Sequence, residues 1–578
     1  MTVTFEREED LSIVLCGEAG GGIQTTEILL SRIFRKDGLH VFSTKEYMSR
    51  IRGGSNSTQI RIASKPVAAP LSRIDLLVPF DRKGFIHLEK RVGSGTLILI
   101  DRKEIPEGLK DGSLLVADVP FSDIAASSGG KTFANVGAVG LLTALVGVAR
   151  DVVDREILLF FAKRGEGVAE KNRDAAARGY DAGLRMARPD GVRIDIRRDP
   201  AAVRDILLTG GDAVGLGAIA GGCNFISSYP MSPSTSVLLF LAGQAAAFGM
   251  VAEQAEDEIS AVNMAIGAWY AGARAMVTTS GGGFALMEEG VSLAGMLESP
   301  LVVHLAQRPG PATGLPTRTE QGDLQMALHA GHGEFPRVLY APGTIEEAVR
   351  LTQRAFNVAD RFQIPVFILT DQYLIDSFAQ TPTLDSDALG VEKCIVRTDR
   401  NYRRYLLTED GISPRGIPGW GDGLVCLDSD EHDEDGHITE DLDLRVRMVD
   451  KRLKKIEALK REAVAPVWTG SADGRVLVVG WGSTAPIIGE AIAAIGRRDI
   501  AQLHFPQVYP MGPDVAGLLK RAETLIAVEG NATAQFARIL RAETGVEIRH
   551  RILKYNGLPF TVEELATRIE ATLKGEER

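Results

Sequence analysis

Residues 224–234 read NFISSYPMSPS, a short apolar stretch that runs directly into a turn rich in proline and hydroxyl groups. The apolar part, NFISS, predicts a strand, and Pro230 and Pro233 restrict the backbone of the turn that follows it. In an open α/β sheet, ligands bind in the crevice at the carboxyl ends of the strands. The sequence therefore predicts that the hydroxyl groups of Ser232 and Ser234 face such a crevice.

The sequence on either side of this turn alternates apolar strands with helical stretches. Helices are predicted at 256–275 and 345–359, and strands at AMVTTS (275–280), PLVVHLAQ (300–307), RVLYAP (337–342) and PVFILT (365–370). This alternation is typical of a mainly parallel sheet with helices on both faces. Residues 193–385 are therefore predicted to form one doubly wound domain.

Two further blocks of the chain show the same alternation. The first contains the predicted strands LSIVLCG, HVFSTK, STQIRIAS, IDLLVPF, GTLILID and SLLVADV, and the last contains RVLVVGWGS, IAQLHF, TLIAVE and EIRHRIL. Residues 386–440 lose this pattern and are predicted to be an extended surface linker, followed by a charged helix at 439–462. The sequence predicts an α/β protein of three doubly wound, mainly parallel-sheet domains, with the boundaries 1–192, 193–385, 386–471 (linker and charged helix) and 472–578.

The composition excludes several classes of function. The chain has 578 residues and a net charge of −11, and its basic residues are dispersed, so neither a nucleic acid nor an anionic membrane is an expected partner. No signal segment and no apolar run of transmembrane length is recognisable, which predicts a cytoplasmic protein. The four cysteines, Cys16, Cys223, Cys394 and Cys426, are far apart, so no zinc site or iron–sulfur cluster is expected on this chain.

A glycine-rich turn, Gly17 to Gly22, follows the first predicted strand and opens a helix at Ile23. Backbone amides in such a turn can bind a phosphate group. The dinucleotide fingerprint is imperfect, because Ala19 occupies a glycine position and no ribose-binding acid follows at the usual distance. Another phosphate-bearing ligand and a purely structural tight turn remain open.

Three other motifs favour structural interpretations. Gly421-Asp422-Gly423 is similar to the start of a magnesium–diphosphate motif, but the required Asn does not follow, so a turn is expected. The acidic stretch Glu431–His437 lacks the spacing of a metal site and is predicted to be a solvated run of charges. Ser280 does not fit the pattern of a hydrolase nucleophile.

Four motifs in the middle block, taken in order, resemble those of the 2-oxoacid:ferredoxin oxidoreductases. They are the turn Tyr229–Ser234, the segment from Glu258 through Gly267 to Ala273, the turn Thr278–Gly281, and Arg308 with the loop Gly314–Asp323. The first block resembles the gamma subunit of that family at Gly17–Gly22, Arg52–Gly54 and Asn135–Gly137. Residues 413–437 and KYNGLPF (554–560) resemble its 2-oxoglutarate branch, so the resemblance covers nearly the whole chain as a fused gamma–alpha subunit.

This resemblance implies an oxidative decarboxylation of a 2-oxoacid and the reverse reductive carboxylation. Thiamine diphosphate supplies the electron sink for that chemistry, and coenzyme A accepts the acyl group. Glu258 is the predicted catalytic residue, since its carboxylate matches the position that hydrogen-bonds the aminopyrimidine ring, and Tyr229 and Pro230 are predicted to contact the cofactor. A helix-capping role is the structural alternative for Glu258.

Substrate binding is assigned by the resemblance to Arg308, Ser232, Thr317 and Lys45. Arg308 follows an apolar strand, and its guanidinium can hold a planar carboxylate at two points. Arg318 is the competing candidate. Coenzyme A is predicted to contact the first block at Gly20, Gly21, Gly22, Arg52 and Asn135, with Arg50 as an alternative to Arg52.

The expected partners follow from the same resemblance. A beta subunit is expected to carry Mg²⁺ and a [4Fe-4S] cluster and to share thiamine diphosphate with this chain in an (αβ)2 assembly, with ferredoxin as the electron acceptor. The favoured substrate is 2-oxoglutarate, and pyruvate and branched-chain or aryl 2-oxoacids are alternatives. A non-catalytic assembly subunit and a nucleotide-binding redox subunit are the alternatives from other functional classes.

Overall fold

The structure, a computed structural model, describes residues 4–48, 54–105, 114–188, 191–385 and 389–575. The elements of the first part of the chain are β1 (Phe5–Glu8), β2 (Asp10–Glu18), α1 (Ile23–Lys36), β3 (His40–Glu46), β4 (Ser55–Ala63), β5 (Leu76–Pro79), α2 (Arg82–Leu88), β6 (Leu97–Ile100), β7 (Leu115–Asp118), α3 (Phe121–Ser128), α4 (Phe133–Val146), α5 (Arg150–Phe161), α6 (Glu166–Met186), β8 (Val192–Asp195) and β9 (Ile206–Thr209).

The elements of the middle part are α7 (Gly210–Ala220), β10 (Phe225–Ser228), α8 (Thr235–Phe248), β11 (Val251–Gln254), α9 (Glu258–Tyr270), β12 (Ala275–Thr279), α10 (Gly281–Leu286), α11 (Glu288–Met296), β13 (Leu301–Gln307), α12 (Leu324–His329), β14 (Val338–Tyr340), α13 (Ile345–Phe362), β15 (Pro365–Asp371), α14 (Gln372–Asp376) and β16 (Phe378–Thr381). Those of the last part are α15 (Leu442–Arg461), β17 (Val467–Gly470), β18 (Val476–Trp481), α16 (Thr484–Ile495), β19 (Ile500–Phe505), β20 (Gln507–Tyr509), α17 (Val515–Leu519), β21 (Thr524–Glu529), α18 (Gln535–Thr544), β22 (His550–Leu553) and α19 (Val562–Lys574).

The chain folds into two compact units. The first consists of Met1–Leu208, Ser377–Thr383 and Thr561–Glu564, and the second of Thr209–Asp376, Leu384–Phe560 and Leu565–Arg578. No helix among the described residues is long and apolar enough to cross a membrane.

The first unit contains an eight-stranded sheet in the order β7-β6-β5-β2-β4-β3-β16-β9. The pairs from β7 to β2 are parallel, but β2, β4, β3 and β16 pair antiparallel. The predicted parallel arrangement is therefore found from β7 to β2, and the sheet differs from it in being antiparallel from β2 to β16. Only residues 47–54 connect β3 to β4, and this connection is too short for the crossover that parallel neighbours require.

The second unit contains a seven-stranded sheet in the order β11-β10-β12-β13-β15-β14-β20. All of its pairs are parallel except β14 with β20, a strand from the last part of the chain. A five-stranded sheet, β17-β19-β18-β21-β22, lies in the same unit and is parallel apart from its edge strand β17. The doubly wound α/β fold predicted for these blocks is confirmed.

The segment between β16 and α15 is more deeply packed than the predicted surface linker. Tyr405 is fully buried, and His432 stacks on its ring at a centroid distance of 3.7 Å. Glu431 forms ion pairs with Arg445 and Arg452 of α15. The prediction of a solvated run of charges at 431–437 is therefore wrong for Glu431 and His432, because arginines of α15 pair with Glu431 and partly bury it, and stacking on Tyr405 buries His432.

Candidate active site

The carboxyl ends of three neighbouring strands bring the middle-block motifs together. β10 ends at Ser228 before the Tyr229–Ser234 turn, β12 ends at Thr279 before the glycine turn, and β13 ends at Gln307 before Arg308. These strands are adjacent and parallel in the order β10-β12-β13. Their loops therefore leave the sheet at the same edge, where open α/β sheets bind ligands.

Glu258 is the first residue of α9, but it does not cap the helix. The cap is Asp257, whose side chain accepts a hydrogen bond of 2.8 Å from the backbone N–H of Ser260. Glu258 is only 3% exposed, and its Oε1 has no hydrogen-bond partner. Burial raises the pKa of this carboxyl group. A buried carboxyl oxygen without a partner is the feature expected of a residue that awaits a ligand.

The first turn of α10, Gly281 to Gly283, lies close to two carboxyl groups. A Cβ atom at Gly283 would collide with Glu258 Oε1 and Thr279 Oγ1. A Cβ atom at Gly281 would lie 2.5 Å from Asp323 Oδ2. Glycine is therefore required at both positions because the carboxyl groups approach the turn closely.

Arg308 links two of the converging loops. Its Nη1 donates a hydrogen bond of 2.7 Å to the backbone carbonyl of Ser232. Burial lowers the pKa of this guanidinium, the Asp323 carboxylate opposes that effect, and arginine keeps its charge in proteins. Ser232 is exposed and Thr317 is half-buried in the following loop. The structure thus brings Arg308 and Ser232 together, as the strand pattern predicts.

The loop after Arg308 is fixed by the last part of the chain. Gln321 is buried, its Oε1 accepts a hydrogen bond from the N–H of Gly530 (2.8 Å), and its Nε2 donates to the carbonyl of Trp481 (2.9 Å). The side chain of Asn531 donates to the carbonyl of Gln321, and Gln535 donates to that of Gly322. The third block therefore positions the predicted substrate loop.

The glycine turn of the first unit lies at the N-terminus of α1. Gly20 and Gly22 have positive φ angles of 83° and 85°, which favour glycine. The amide of Asn135, on α4, donates a hydrogen bond to the carbonyl of Gly21 and lies where a Cβ atom of Gly22 would be. A side chain at Gly20 would enter open space. The turn is held from one side and open on the other, a geometry that suits a phosphate-bearing ligand.

Of the two remaining predicted contacts of the first unit, Lys45 and Arg52, the structure describes only Lys45. Lys45, on β3, forms an ion pair of 3.3 Å with the buried carboxylate of Glu27. Arg52 and its alternative Arg50 lie outside the described residues.

The sequence pattern indicates no role for Asp323 or Gln321, although both belong to the loop Gly314–Asp323. Asp323 occupies the position before α12, where an acid ordinarily indicates a helix cap, and its side chain makes no cap hydrogen bond. Gln321 is an ordinary polar loop residue in sequence, and only its burial against the last block reveals its role. No group of three or more His, Cys, Asp or Glu side chains able to hold a metal ion occurs in the described ranges.

Comparison with known proteins agrees with this geometry. The family described as "Pyruvate flavodoxin/ferredoxin oxidoreductase, thiamine diP-bdg" matches residues 216–451, and the family "Pyruvate ferredoxin/flavodoxin oxidoreductase" matches residues 12–182. The solved 2-oxoglutarate:ferredoxin oxidoreductase from Magnetococcus marinus, with 2-oxoglutarate, coenzyme A and succinyl-CoA bound, is 29% identical with a TM-score of 0.91, covering 98% of this chain and 99% of that chain.

Relatives with curated names match over nearly the full length. The 2-oxoglutarate oxidoreductase subunit KorA of Mycobacterium tuberculosis is 27% identical, covering 99% of this chain and 92% of the relative. The 2-oxoacid:ferredoxin oxidoreductase subunit alpha of a Sulfolobus species is 31% identical, covering 98% of both chains. The resemblance predicted from the four motifs is therefore confirmed, and the chain belongs to the alpha subunits of the 2-oxoacid:ferredoxin oxidoreductases.

Proposed function

We propose that this subunit acts in the oxidative decarboxylation of 2-oxoglutarate, in which coenzyme A accepts the succinyl group, CO2 is released and ferredoxin accepts two electrons, and in the reverse reaction. The similarity to a solved enzyme with 2-oxoglutarate and succinyl-CoA bound, over 98% of the chain, carries the choice of substrate. The name of the relative KorA also specifies 2-oxoglutarate as the substrate of that enzyme.

The buried carboxyl group of Glu258 and the exposed ring of Tyr229 fit the pyrimidine half of thiamine diphosphate. When bound, this cofactor supplies the electron sink for the charge left by departing CO2. Glu258 Oε1 lacks a protein partner, so this carboxyl can exchange a proton with a ring nitrogen, and its raised pKa suits that exchange. Tyr229 is 40% exposed on the adjacent turn, with its ring available to a ligand.

Arg308 is the proposed clamp for the carboxylate of the 2-oxoacid. Its bond to the Ser232 carbonyl uses Nη1 and orients the planar group, so other N–H donors of the guanidinium remain for a two-point contact. The hydroxyl groups of Ser232 and Thr317 are proposed as additional donors, and Lys45 as a further substrate contact.

Coenzyme A is proposed to bind the first unit at the turn Gly20–Gly22. The open side of the turn and the N-terminus of α1 favour a phosphate there, with Asn135 holding the turn and Arg52 supplying charge. We expect the double variant Arg52→Ala, Asn135→Ala to raise the KM for coenzyme A. Asn172→Ala is the matched control, since Asn172 donates within its own helix to Val168, and an unchanged KM in the double variant would contradict the assignment.

A beta subunit is proposed to cover the outer face of α8 and α9 and to supply Mg²⁺ and a [4Fe-4S] cluster, in an (αβ)2 assembly. α8 is apolar on all sides but buries only three of its residues. A helix of this kind is normally covered. Large apolar side chains on α8, β11 and α9 are exposed, namely Leu239 (66%), Phe248 (56%), Val251 (53%) and Ile259 (51%).

The position of this face supports the choice of partner. Ile259 directly follows Glu258, so a chain that covers the face reaches the cofactor site. We expect Leu239→Arg to abolish copurification with the beta subunit. Leu159→Arg, at a similarly exposed leucine of α5 in the first unit, is the matched control, and copurification of both variants would refute this interface.

The decisive experiment is an assay of the purified two-subunit complex. The initial rate of viologen-dye reduction with coenzyme A is measured for 2-oxoglutarate, pyruvate and a branched-chain 2-oxoacid. We expect the highest kcat/KM for 2-oxoglutarate. A higher value for pyruvate would overturn the choice of substrate while leaving the family unchanged.

A further inference from the structure

Asp323 is a second acidic residue at the glycine turn, and neither the proposed cofactor contact nor helix capping accounts for it. It precedes α12, but its side chain makes no cap hydrogen bond. Its Oδ2 is shielded from solvent and has no hydrogen-bond partner, and it lies against the backbone of Gly281. A polar atom left in this state calls for an explanation in function.

The loop holds this carboxyl in place. The backbone N–H of Asp323 donates a hydrogen bond of 3.0 Å to Gln307 Oε1, at the end of β13. Two residues earlier, Gln321 is fixed by its bonds to Gly530 and Trp481. Asp323 is therefore anchored at its own backbone and two residues before it, and its orientation toward the turn is a built feature of the site.

Two charged groups act on Asp323 in the part of the chain that the structure describes. Glu320, in the same loop, repels its negative charge, and Arg308, at the end of β13, attracts it. Glu258, from α9, lies against Gly283, two residues after the Gly281 backbone that Asp323 approaches. Burial, aided by Glu320, outweighs Arg308 and raises the pKa of Asp323 to about 7.

We propose that Asp323 is a positioning residue for the carboxylate of the 2-oxoacid, which acts by its effect on Arg308. Ionised Asp323 attracts the guanidinium and competes with the substrate. Protonated Asp323 releases this attraction and leaves the full positive charge of Arg308 to the substrate. The inference rests on the proposed role of Arg308 as the carboxylate clamp.

The sign of the pH dependence follows from linkage. A substrate carboxylate beside Arg308 adds negative charge near Asp323, which favours the protonated acid, so substrate binding takes up a proton. By reciprocity, deprotonation of Asp323 weakens substrate binding. The KM for the 2-oxoacid is therefore constant below the pKa of Asp323 and rises above it, by at most about tenfold per pH unit for one proton.

Two variants of the assembled complex test this relation. Asp323→Asn is similar in shape and permanently neutral, so its KM for 2-oxoglutarate should stay nearly constant from about pH 6 to pH 8.5, whereas that of the wild type rises. Glu320→Gln removes a charge that raises the pKa of Asp323, so the inflection should move to lower pH. Calorimetry in buffers of different ionisation enthalpy should detect proton uptake on 2-oxoglutarate binding in the wild type and none in Asp323→Asn.

The outcomes separate this inference from the proposed function. A wild-type inflection and wild-type proton uptake in Asp323→Asn would overturn it. If that variant does not assemble, an unmoved inflection in Glu320→Gln overturns it instead. Arg308→Lys at pH 6 tests the clamp alone: an unchanged KM there refutes the role of Arg308, whereas a raised KM together with an unaltered profile in Asp323→Asn refutes only the role of Asp323.

Discussion

The guanidinium of Arg308 donates a hydrogen bond of 2.7 Å to the backbone carbonyl of Ser232, which joins the end of β13 to the turn after β10. The strands that carry these residues are separated by β12 in the sheet, so the bond spans the crevice above the β12 end. A long side chain held in this way loses little further entropy when it binds a substrate. The bond therefore preorganises the guanidinium of Arg308 to bind a planar anion.

Replacement of this guanidinium by an amine tests the clamp. We expect Arg308→Lys to lower kcat/KM for the 2-oxoacid by about tenfold or more, because a charged two-point contact contributes about 1.5–3 kcal/mol. The affinity for thiamine diphosphate should stay nearly constant. Arg318→Lys, in the same loop, is the control and should cost less. Equal losses of cofactor affinity and turnover would show that Arg308 holds the fold instead.

The separate roles of Asp257 and Glu258 give a second prediction. Glu258→Gln should reduce turnover by about 10²–10⁴-fold, since an amide cannot accept the proton that the carboxylate does. Assembly with the partner should persist because the amide has nearly the same shape. Asp257→Ala removes the helix cap and should instead lower stability by about 1 kcal/mol with a smaller effect on turnover. Wild-type rates in Glu258→Gln would remove the catalytic assignment.

The strands of the chain could largely be predicted from apolar runs of limited length. β10, β12, β13, β15, β19 and β21 lie within or at the predicted segments, because a buried parallel strand is apolar on both faces and stands out in sequence. Pairing could not be predicted in the same way. β16 joins β3 of the first unit, and β20 joins β14, and neither short strand carries a local signal for its distant partner.

In the candidate site, too, some features could be predicted from the sequence and others could not. Glu258, Ser232 and Arg308 could be placed at one edge of the sheet because each stands at or near the end of a strand or the start of a helix. The burial of Gln321 depends on Gly530 and Trp481, which are more than 150 residues away in sequence. No sequence pattern distinguishes a loop glutamine that meets such partners from one that faces water.

A buried ion cluster supplies a prediction about stability. Glu298 accepts hydrogen bonds from Lys451 (2.6 Å) and Lys455 (2.5 Å) of α15, and all three side chains are almost completely buried. Glu298→Gln should lower the free energy of unfolding by about 3–5 kcal/mol, because two buried ammonium groups lose their counter-charge. Thermal unfolding measures the change. Glu457→Gln, at an exposed pair with Lys460 on the same helix, should have little effect.

The same cluster determines how the stability of the protein changes as the pH falls. Burial alone would raise the pKa of Glu298, but Lys455 and Lys451 hold it well below its usual range. A group with a lowered folded-state pKa stabilises the protein above its unfolded-state pKa of about 4.3, and this contribution is lost as the pH falls below that value. The wild type should therefore lose more stability than Glu298→Gln on acidification from neutral pH. An equal loss in both proteins would contradict the assignment.

Gln321 links the last block of the chain to substrate binding. Gln321→Leu deprives the Gly530 N–H and the Trp481 carbonyl of their partners and releases the loop that carries Thr317 and Asp323. Each buried group left unpaired costs about 1–3 kcal/mol, so the loop should leave its bound position more often. We expect the KM for the 2-oxoacid to rise by about tenfold or more while kcat at saturating substrate changes much less.

Gln502→Leu is the matched control, since Gln502 is also buried in this block and donates to Ala485, away from the loop. It should lower the unfolding temperature without changing the KM. An equal KM for both variants would show that the last block stabilises the fold without positioning the substrate loop.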